Sequence, residues 1–199
     1  KYIEDAIIKK KPNLIINCIV QKNNTIKKIS KKKFFLINSK FPKFLSQLCY
    51  HHKIYFVHIS TDSVFSGNKG NFLETDVKNV KDIYSLSKKK GEVKNKYSCT
   101  LRTSFIGPEK YTKKSLFSWF LKQKKKVDGY SNYHFTGLSS LEFSKIIYKY
   151  FILNKNFYNK IINIGGNKIS KLNLFIKISQ IFNKKITINS KNFPKINRT

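Results

Sequence analysis

Residues 53–67 read KIYFVHISTDSVFSG, and the placement of this stretch decides the fold. An apolar run begins at Ile54 and is broken by Ser60, Thr61 and Asp62. Val64 and Phe65 then resume it. The run is too short for a helix and rich in β-branched and aromatic residues, so it reads as a strand. Burying two hydroxyls and a carboxylate without partners is costly. These three residues therefore either cap a turn or face a ligand.

On the N-terminal side, PNLIINCIV (12–20) is a second continuous apolar run after a proline, as in a strand buried on both faces of a parallel sheet. KNNTIKKISKKK (22–33) is polar and reads as a loop. FFLINSKFPKFLSQLCYHH (34–52) places Phe41, Phe44, Leu45 and Leu48 at helical spacing, with Pro42 in the first turns where proline is tolerated. On the C-terminal side, FSGNKGNFLETD (65–76) has the glycines of a loop, and DIYSLSKKKGEVKNKY (82–97) reads as a helix. CTLRTSFIG (99–107) reads as a third strand, ended by Gly107 and Pro108. Strand–helix–strand–helix–strand is the order of an α/β parallel sheet. Ligands of such sheets bind at the carboxyl ends of the strands, where Ser60-Thr61-Asp62 and Thr103-Ser104-Phe105 both fall.

Tyr84 and Lys88 lie four apart in the second helix and share a face. An ammonium beside a phenol favours the phenolate, lowers its pKa and makes the tyrosine a usable acid or base near neutrality. In a chain this rich in both residues, the spacing alone also arises by chance.

The 199 residues are 40% hydrophobic and 15% aromatic, enough for a core. No apolar run approaches a membrane span, and no secretory signal opens the chain, so membrane insertion is not expected. Cys18, Cys49 and Cys99 form no CxxC pair, which argues against a metal centre or disulfides and for a reducing, cytoplasmic compartment. The chain has no methionine, and a fragment or processed product is expected. The net charge of +31 comes almost entirely from lysine, since Arg102 and Arg198 are the only arginines and Ala6 the only alanine. Lys, Asn, Ile, Phe and Tyr share AT-rich codons, so coding bias accounts for the excess better than a dedicated nucleic-acid surface, which also recruits arginine.

Taken in order, VHISTDSVFSG, ETD, YSLSKKKGE and LRTSFIG resemble the extended short-chain dehydrogenase/reductase superfamily. More narrowly, they are similar to its dTDP-4-dehydrorhamnose reductase-like, sugar-nucleotide-binding branch. The resemblance spans nearly the whole chain. It implies the C-terminal part of a Rossmann-type parallel sheet with helices on both faces, plus a smaller α/β substrate-binding lobe. Residues 1–107 would be a truncated nucleotide-binding domain with the catalytic motifs, and 108–199 mainly the substrate lobe.

The implied activity is NAD(P)-dependent reduction of a nucleotide-activated 4-keto sugar, in nucleotide-sugar or surface-polysaccharide biosynthesis, with NADPH or NADH as cofactor. Thr61 would bind the sugar carbonyl or hydroxyl, Tyr84 would pass the proton, and Lys88 would hold the nicotinamide ribose. Cys18, Ile19 and Val20 match the segment lining the cofactor. Asp62 and Phe105 match substrate-side positions, with Phe105 where the branch usually has tryptophan. A homodimer is a further option.

Two departures stand out. The family's glycine-rich first strand–helix unit is not found, since no glycine precedes Gly67; that unit is expected to lie upstream, and the chain without it would bind cofactor poorly. Ser63 replaces the glutamate of the related dehydratases, which disfavours dehydration and leaves reduction or epimerisation.

Plainer readings remain open at this level. Ser60-Thr61-Asp62 can be a turn cap, and Tyr84 and Lys88 a solvated helix face. His51, His52 and His58 have no metal-ligand spacing and read as structural or exposed. Trp119 reads as helix core, INIGG (162–166) as a strand and turn, and the lysine triplets at 31–33, 88–90 and 124–126 as solvated faces, Lys88 apart. The competing function classes are an epimerase of the same fold and a non-catalytic module, either a pseudo-enzyme or a basic nucleic-acid binder. The aromatic clusters fall in periodic apolar segments that a core needs, so no specific nucleic-acid partner is expected. Duplex DNA should then bind loosely, without sequence preference, and with affinity falling steeply as salt rises. A titration at two salt concentrations checks this; sequence-selective binding that survives physiological salt would contradict it.

Overall fold

The computed structural model describes residues 2–22, 30–77, 79–108 and 115–199. Helix α1 (Tyr2–Lys10) precedes strand β1 (Leu14–Asn17). A continuous helical stretch follows as α2 (Lys31–Phe35), a wider π-type turn (Leu36–Lys40) and α3 (Phe41–His51). Strand β2 (Tyr55–Thr61), a single 3₁₀ turn (Asp62–Val64), α4 (Ile83–Gly91), β3 (Ser98–Thr103) and β4 (Phe105–Ile106) complete the first half. Then come α5 (Leu116–Lys122), β5 (Lys126–Tyr130), β6 (Tyr133–Phe135), β7 (Leu138–Ser139) and α6 (Ser140–Ile147), which runs on through a second π-type stretch (Tyr148–Leu153). The chain closes with β8 (Ile161–Asn163), β9 (Ile169–Ser170), α7 (Lys171–Ile181), β10 (Thr187–Lys191) and β11 (Ile196–Arg198).

The central sheet has the order β1-β2-β3-β8, parallel throughout. Alternation along β2 supplies both faces of the core. Tyr55, Val57 and Ile59 pack with Cys99 and Leu101 under Phe143, Ile147 and Phe151 of the α6 stretch. Phe56 points the other way, into Ile7 of α1 and Leu45, Leu48 and Cys49 of α3. Every residue of β2 and β3 is buried, the polar His58, Ser60, Thr61, Ser98, Thr100, Arg102 and Thr103 included. A third cluster joins Phe120, Val127, Phe135, Leu174, Phe175 and Ile178. It is built by α5, α7, the β5–β10 pair and the three-stranded sheet β11-β6-β9. Among the described residues no helix is long and apolar enough to cross a membrane.

Several boundaries differ from the sequence reading. Of the loop expected over 22–33, residues 23–29 lie outside the described residues, and Lys31, Lys32 and Lys33 are the first turn of α2, capped by the Ser30 hydroxyl. The helix expected over 82–97 stops at Gly91, because Glu92 turns extended and Val93 exchanges both backbone hydrogen bonds with the Thr100 hydroxyl. Residues 138–163, grouped by sequence with the second lobe, return to the central sheet through α6 and β8. Phe143 and Ile147 of α6 are buried, while Leu141 of α6 and Tyr150 of the π-type stretch after it are exposed. Trp119 is not core either: its ring tilts against Phe175 at 5.9 Å and is 43% exposed, since Phe120 takes the inward position of α5.

Helix α4 lies so close to the Leu36–Lys40 turn that a side chain at Gly91 has no room. A Cβ there would run into the Asn38 carbonyl oxygen and stand 3.1 Å from the Ser39 Cα. Both obstacles are backbone and cannot rotate away. Gly91→Ala should destabilise the fold by about 1–3 kcal/mol, as overpacking does. The melting temperature should fall by at least about 2 °C. An unchanged melting curve would show that α4 shifts freely.

Candidate active site at the carboxyl ends of the parallel strands

Thr61 ends β2 and caps the following 3₁₀ turn, its Oγ1 accepting from the Ser63 backbone N–H at 3.2 Å. The turn-cap reading is therefore correct for Thr61, and it does not compete with a ligand-facing one. The same hydroxyl meets the side-chain hydroxyl of Tyr84. Ser60 has a different partner: its hydroxyl donates to Glu92 Oε1 at 3.3 Å, inside the protein. Asp62 Oδ1 accepts from Thr61 at 3.2 Å and from Ser63 Oγ at 3.5 Å, and Ser104 from the end of β3 also bonds the carboxyl. Burial raises the Asp62 pKa, opposed by the positive charge of Arg198 and by these hydrogen bonds.

Helix α4 carries the other two predicted groups. Asp82 caps it, accepting from the Ser85 N–H at 2.9 Å. Tyr84 and Lys88 are one turn apart, as their spacing requires. The Lys88 ammonium is buried and donates to the Ile59 carbonyl at 2.6 Å. Loss of solvent pulls its pKa down to about 8, while the nearby Glu92 and Cys18 push it back up. The Tyr84 pKa runs opposite to the sequence expectation. It is raised, because burial of the phenol outweighs the Thr61 hydrogen bond and the Asp62 and Asp82 charges add to the rise. The lysine lowering is not realised: Lys88 points its charge at the β2 backbone.

Cys18, Ile19 and Val20 leave the end of β1 with exposed side chains. Asn17 sets their direction. Its Oδ1 accepts from the Ile19 N–H at 3.1 Å, so its amide nitrogen faces His58 Nδ1, also at 3.1 Å. His58 is fully buried, and burial lowers its pKa far below the ordinary value, so it is a neutral structural residue. Asn38 holds the segment from the other side. Its amide makes a two-way pair with the Gln21 backbone, at 2.7 and 2.9 Å, and donates to the Ser87 hydroxyl at 3.0 Å. The post-β1 segment and the Tyr84 helix are thereby clamped together.

Phe105 is half exposed, its ring edge-on to Phe143 at 5.1 Å. It lines a cavity of about 200 Å³ with Asp62, Tyr133, Lys171 and Arg198. A neighbouring hollow of about 400 Å³ is lined by Ser63, Tyr84, Ser85 and the same Arg198. A larger hollow, about 1130 Å³, runs along the outer edge of β8 beside Tyr150 and Tyr158. None of Thr61, Tyr84 and Lys88 lines it, so size does not locate the chemistry here. Sequence reasoning missed Arg198, Lys171, Asn17 and Asn38. Only Arg198 carried a signal, as one of two arginines in a lysine-rich chain.

Comparison with known proteins places this geometry. The family model described as RmlD substrate binding domain matches residues 1–129. A dTDP-4-dehydrorhamnose reductase of Aggregatibacter actinomycetemcomitans is 31% identical over 83 residues, which are 41% of this chain and 28% of that protein. The chain thus spans well under half the length of this curated relative in the matched region. A crystal structure of a hypothetical dTDP-4-dehydrorhamnose reductase from Sulfolobus tokodaii superimposes with a TM-score of 0.82 and 27% identity, covering 98% of this chain and 73% of that one. The Bacillus anthracis dTDP-4-dehydrorhamnose reductase in complex with NADP shares the fold at a TM-score of 0.79 and 17% identity, over 96% of this chain and 69% of that one. With two thirds of its length matched by the family model and its parallel α/β sheet shared with these structures, the chain belongs to the RmlD substrate binding domain family.

Proposed function

We propose that this chain carries the catalytic residues of an NAD(P)-dependent reductase acting on the 4-keto group of a nucleotide-activated sugar, in nucleotide-sugar or surface-polysaccharide biosynthesis. The observation that carries the reading is the contact of the Tyr84 and Thr61 hydroxyls at the carboxyl end of β2, with the Lys88 ammonium one helical turn away. Thr61 orients the sugar carbonyl. The Tyr84 O–H bond breaks as its proton passes to the carbonyl oxygen. The raised Tyr84 pKa keeps the phenol protonated at neutral pH, which suits a proton donor in the reducing direction. Asp62 and Phe105 border the sugar, and Ser63 offers no acid for water elimination.

The residues at the end of β1 fit a nicotinamide. Ile19 and Val20 present exposed apolar side chains there, and Cys18 lies near enough to Lys88 for their charges to interact. When bound, reduced nicotinamide supplies the hydride. Lys88 would hold its ribose, and Cys18, Ile19 and Val20 would line its ring. NADPH and NADH are both compatible with these groups. Residues 108–199 would contribute most of the substrate lobe, chiefly through the third hydrophobic cluster. Three free cysteines support a reducing cytoplasmic setting, and exposed Leu36, Phe44 and Tyr50 on the 31–51 helical stretch support a homodimer.

Tyr84→Phe in the enzyme should lower turnover of a 4-keto nucleotide sugar by about 10²–10⁴-fold, while cofactor affinity stays near wild type. Steady-state kinetics with NADH or NADPH measures both, and wild-type turnover in the variant excludes Tyr84 as the acid. Lys88 predicts a pH limb. With its pKa at about 8, the ammonium is charged below that pH and neutral above it. Turnover should therefore fall as pH rises through about 8, and a profile flat well beyond that point would remove Lys88 from the charged role.

A further inference from the structure

A cavity of about 50 Å³ lies where β3 ends, walled by Thr103 and Ser104, by Asp62 of the 3₁₀ turn, by Thr136 and Gly165, and by Arg198 of β11. None of Thr61, Tyr84 and Lys88 lines it, so it is separate from the hollow that Tyr84 borders. Strands β3 and β11 belong to different sheets. Strand β11 pairs with β6, Arg198 opposite Phe135. It is also joined to the loop that leaves the turn: the Asn197 N–H donates to the Gly67 carbonyl at 2.7 Å, and the Phe72 N–H to the Thr199 carbonyl at 2.8 Å.

Two residues of this wall have hydrogen-bonding capacity that the protein does not meet. Thr103 is 3% exposed, and its Oγ1 is buried with no partner among the described residues. The Arg198 Nε is buried and unpartnered in the same way. Burying a polar group unbonded is costly, and native folds satisfy such groups with protein or with ordered water. The Nε–H can only donate, whereas the hydroxyl can donate or accept. A group that serves both must accept from Nε and also bond a hydroxyl, and a water does both. A buried water needs at least about 10–15 Å³ and two to four polar partners. The cavity meets the volume several times over, and Thr103, Arg198 and the Asp62 carboxyl supply the partners.

We propose that this cavity is a water-binding site, in which an internal water accepts from Arg198 Nε–H and bonds the Thr103 hydroxyl, tying β11 to the end of β3. The hydrogens of the water have acceptors on the wall, the Thr103 hydroxyl and the Asp62 carboxyl. The site joins two strands from different sheets that frame the candidate site, and it holds whichever substrate that site takes.

Thr103→Val is the decisive variant, because valine keeps the shape and drops the hydroxyl. Losing a hydroxyl that bonds a water leaves that water a partner short, and the melting temperature should fall by about 2–4 °C. Losing a hydroxyl that bonds nothing relieves a burial cost instead, so an unchanged or raised melting temperature overturns the site. Arg198→Lys keeps the charge and removes the Nε–H. Combined with Thr103→Val, its loss of melting temperature should be less than additive, since both act on one water; strict additivity overturns the bridge. A crystal structure of the 199-residue chain should show a solvent peak within about 3.2 Å of both Thr103 Oγ1 and Arg198 Nε. No peak there, or a direct bond between the two side chains, overturns the proposal. So does anomalous signal at the peak after a bromide soak, which would make it an anion site. Should either variant fail to fold, the wild-type crystal and its bromide soak carry the test.

Discussion

A buried ion pair fixes the relations among the elements that carry the candidate site. Arg102 in β3 donates through Nε to Glu92 Oε1 at 2.6 Å and through a terminal nitrogen to Oε2 at 3.0 Å, with side chains 1% and 3% exposed. Its remaining donors reach the Glu74 carbonyl at 3.2 Å and the Asn163 side chain at 3.3 Å, and its plane lies over the Phe65 ring. The Ser60 hydroxyl adds a donor to Glu92. The pair therefore joins the end of β2, the exit of α4, β3, the 72–76 loop and β8. Desolvating two charges is expensive, and a buried pair holds only when its remaining valences are met, as they are here. Removing one partner would strand the other charge, at a cost of about 3–5 kcal/mol.

The consequences reach the candidate site. Glu92 is drawn into Arg102 as soon as α4 ends, so the helix cannot run on, and the turn holding Tyr84 and Lys88 is set against the end of β2. Glu92 also supplies the negative charge that opposes the desolvation of Lys88. Without it, an ammonium buried this deeply would lose its proton more readily still. One carboxylate thus positions helix α4 and opposes the loss of charge on its buried lysine.

The parallel sheet was readable in the sequence chiefly through the apolar residues of β1 (LIIN) and β2 (YFVHIST), whereas β3 (SCTLRT) is buried although largely polar. Tyr84 and Lys88 were readable because helical spacing is a geometric rule. The C-terminal strands were not. TINSK (187–191) and INR (196–198) alternate poorly, and they are strands only because β5 and β6 offer open edges. The Tyr84 pKa was also out of reach. A spacing rule shows which charge is near, but how much solvent is lost depends on packing from β2 and the 3₁₀ turn. Asn38 and Asn17 were invisible for a related reason: among many asparagines, only a closed fold reveals which amides are fully bonded.

The two arginines clarify how this chain uses charge. Its positive surplus is almost wholly lysine, a residue that serves well as solvated charge and poorly where a planar, multi-pronged donor is needed. Arg102 and Arg198 occupy such places. The first locks both nitrogen prongs onto a carboxylate in the core. The second sits where two hollows meet, its Nε without an acceptor among the described residues. Its positive charge opposes the effect of burial on Asp62, so strand β11 is coupled electrostatically to the turn at the end of β2.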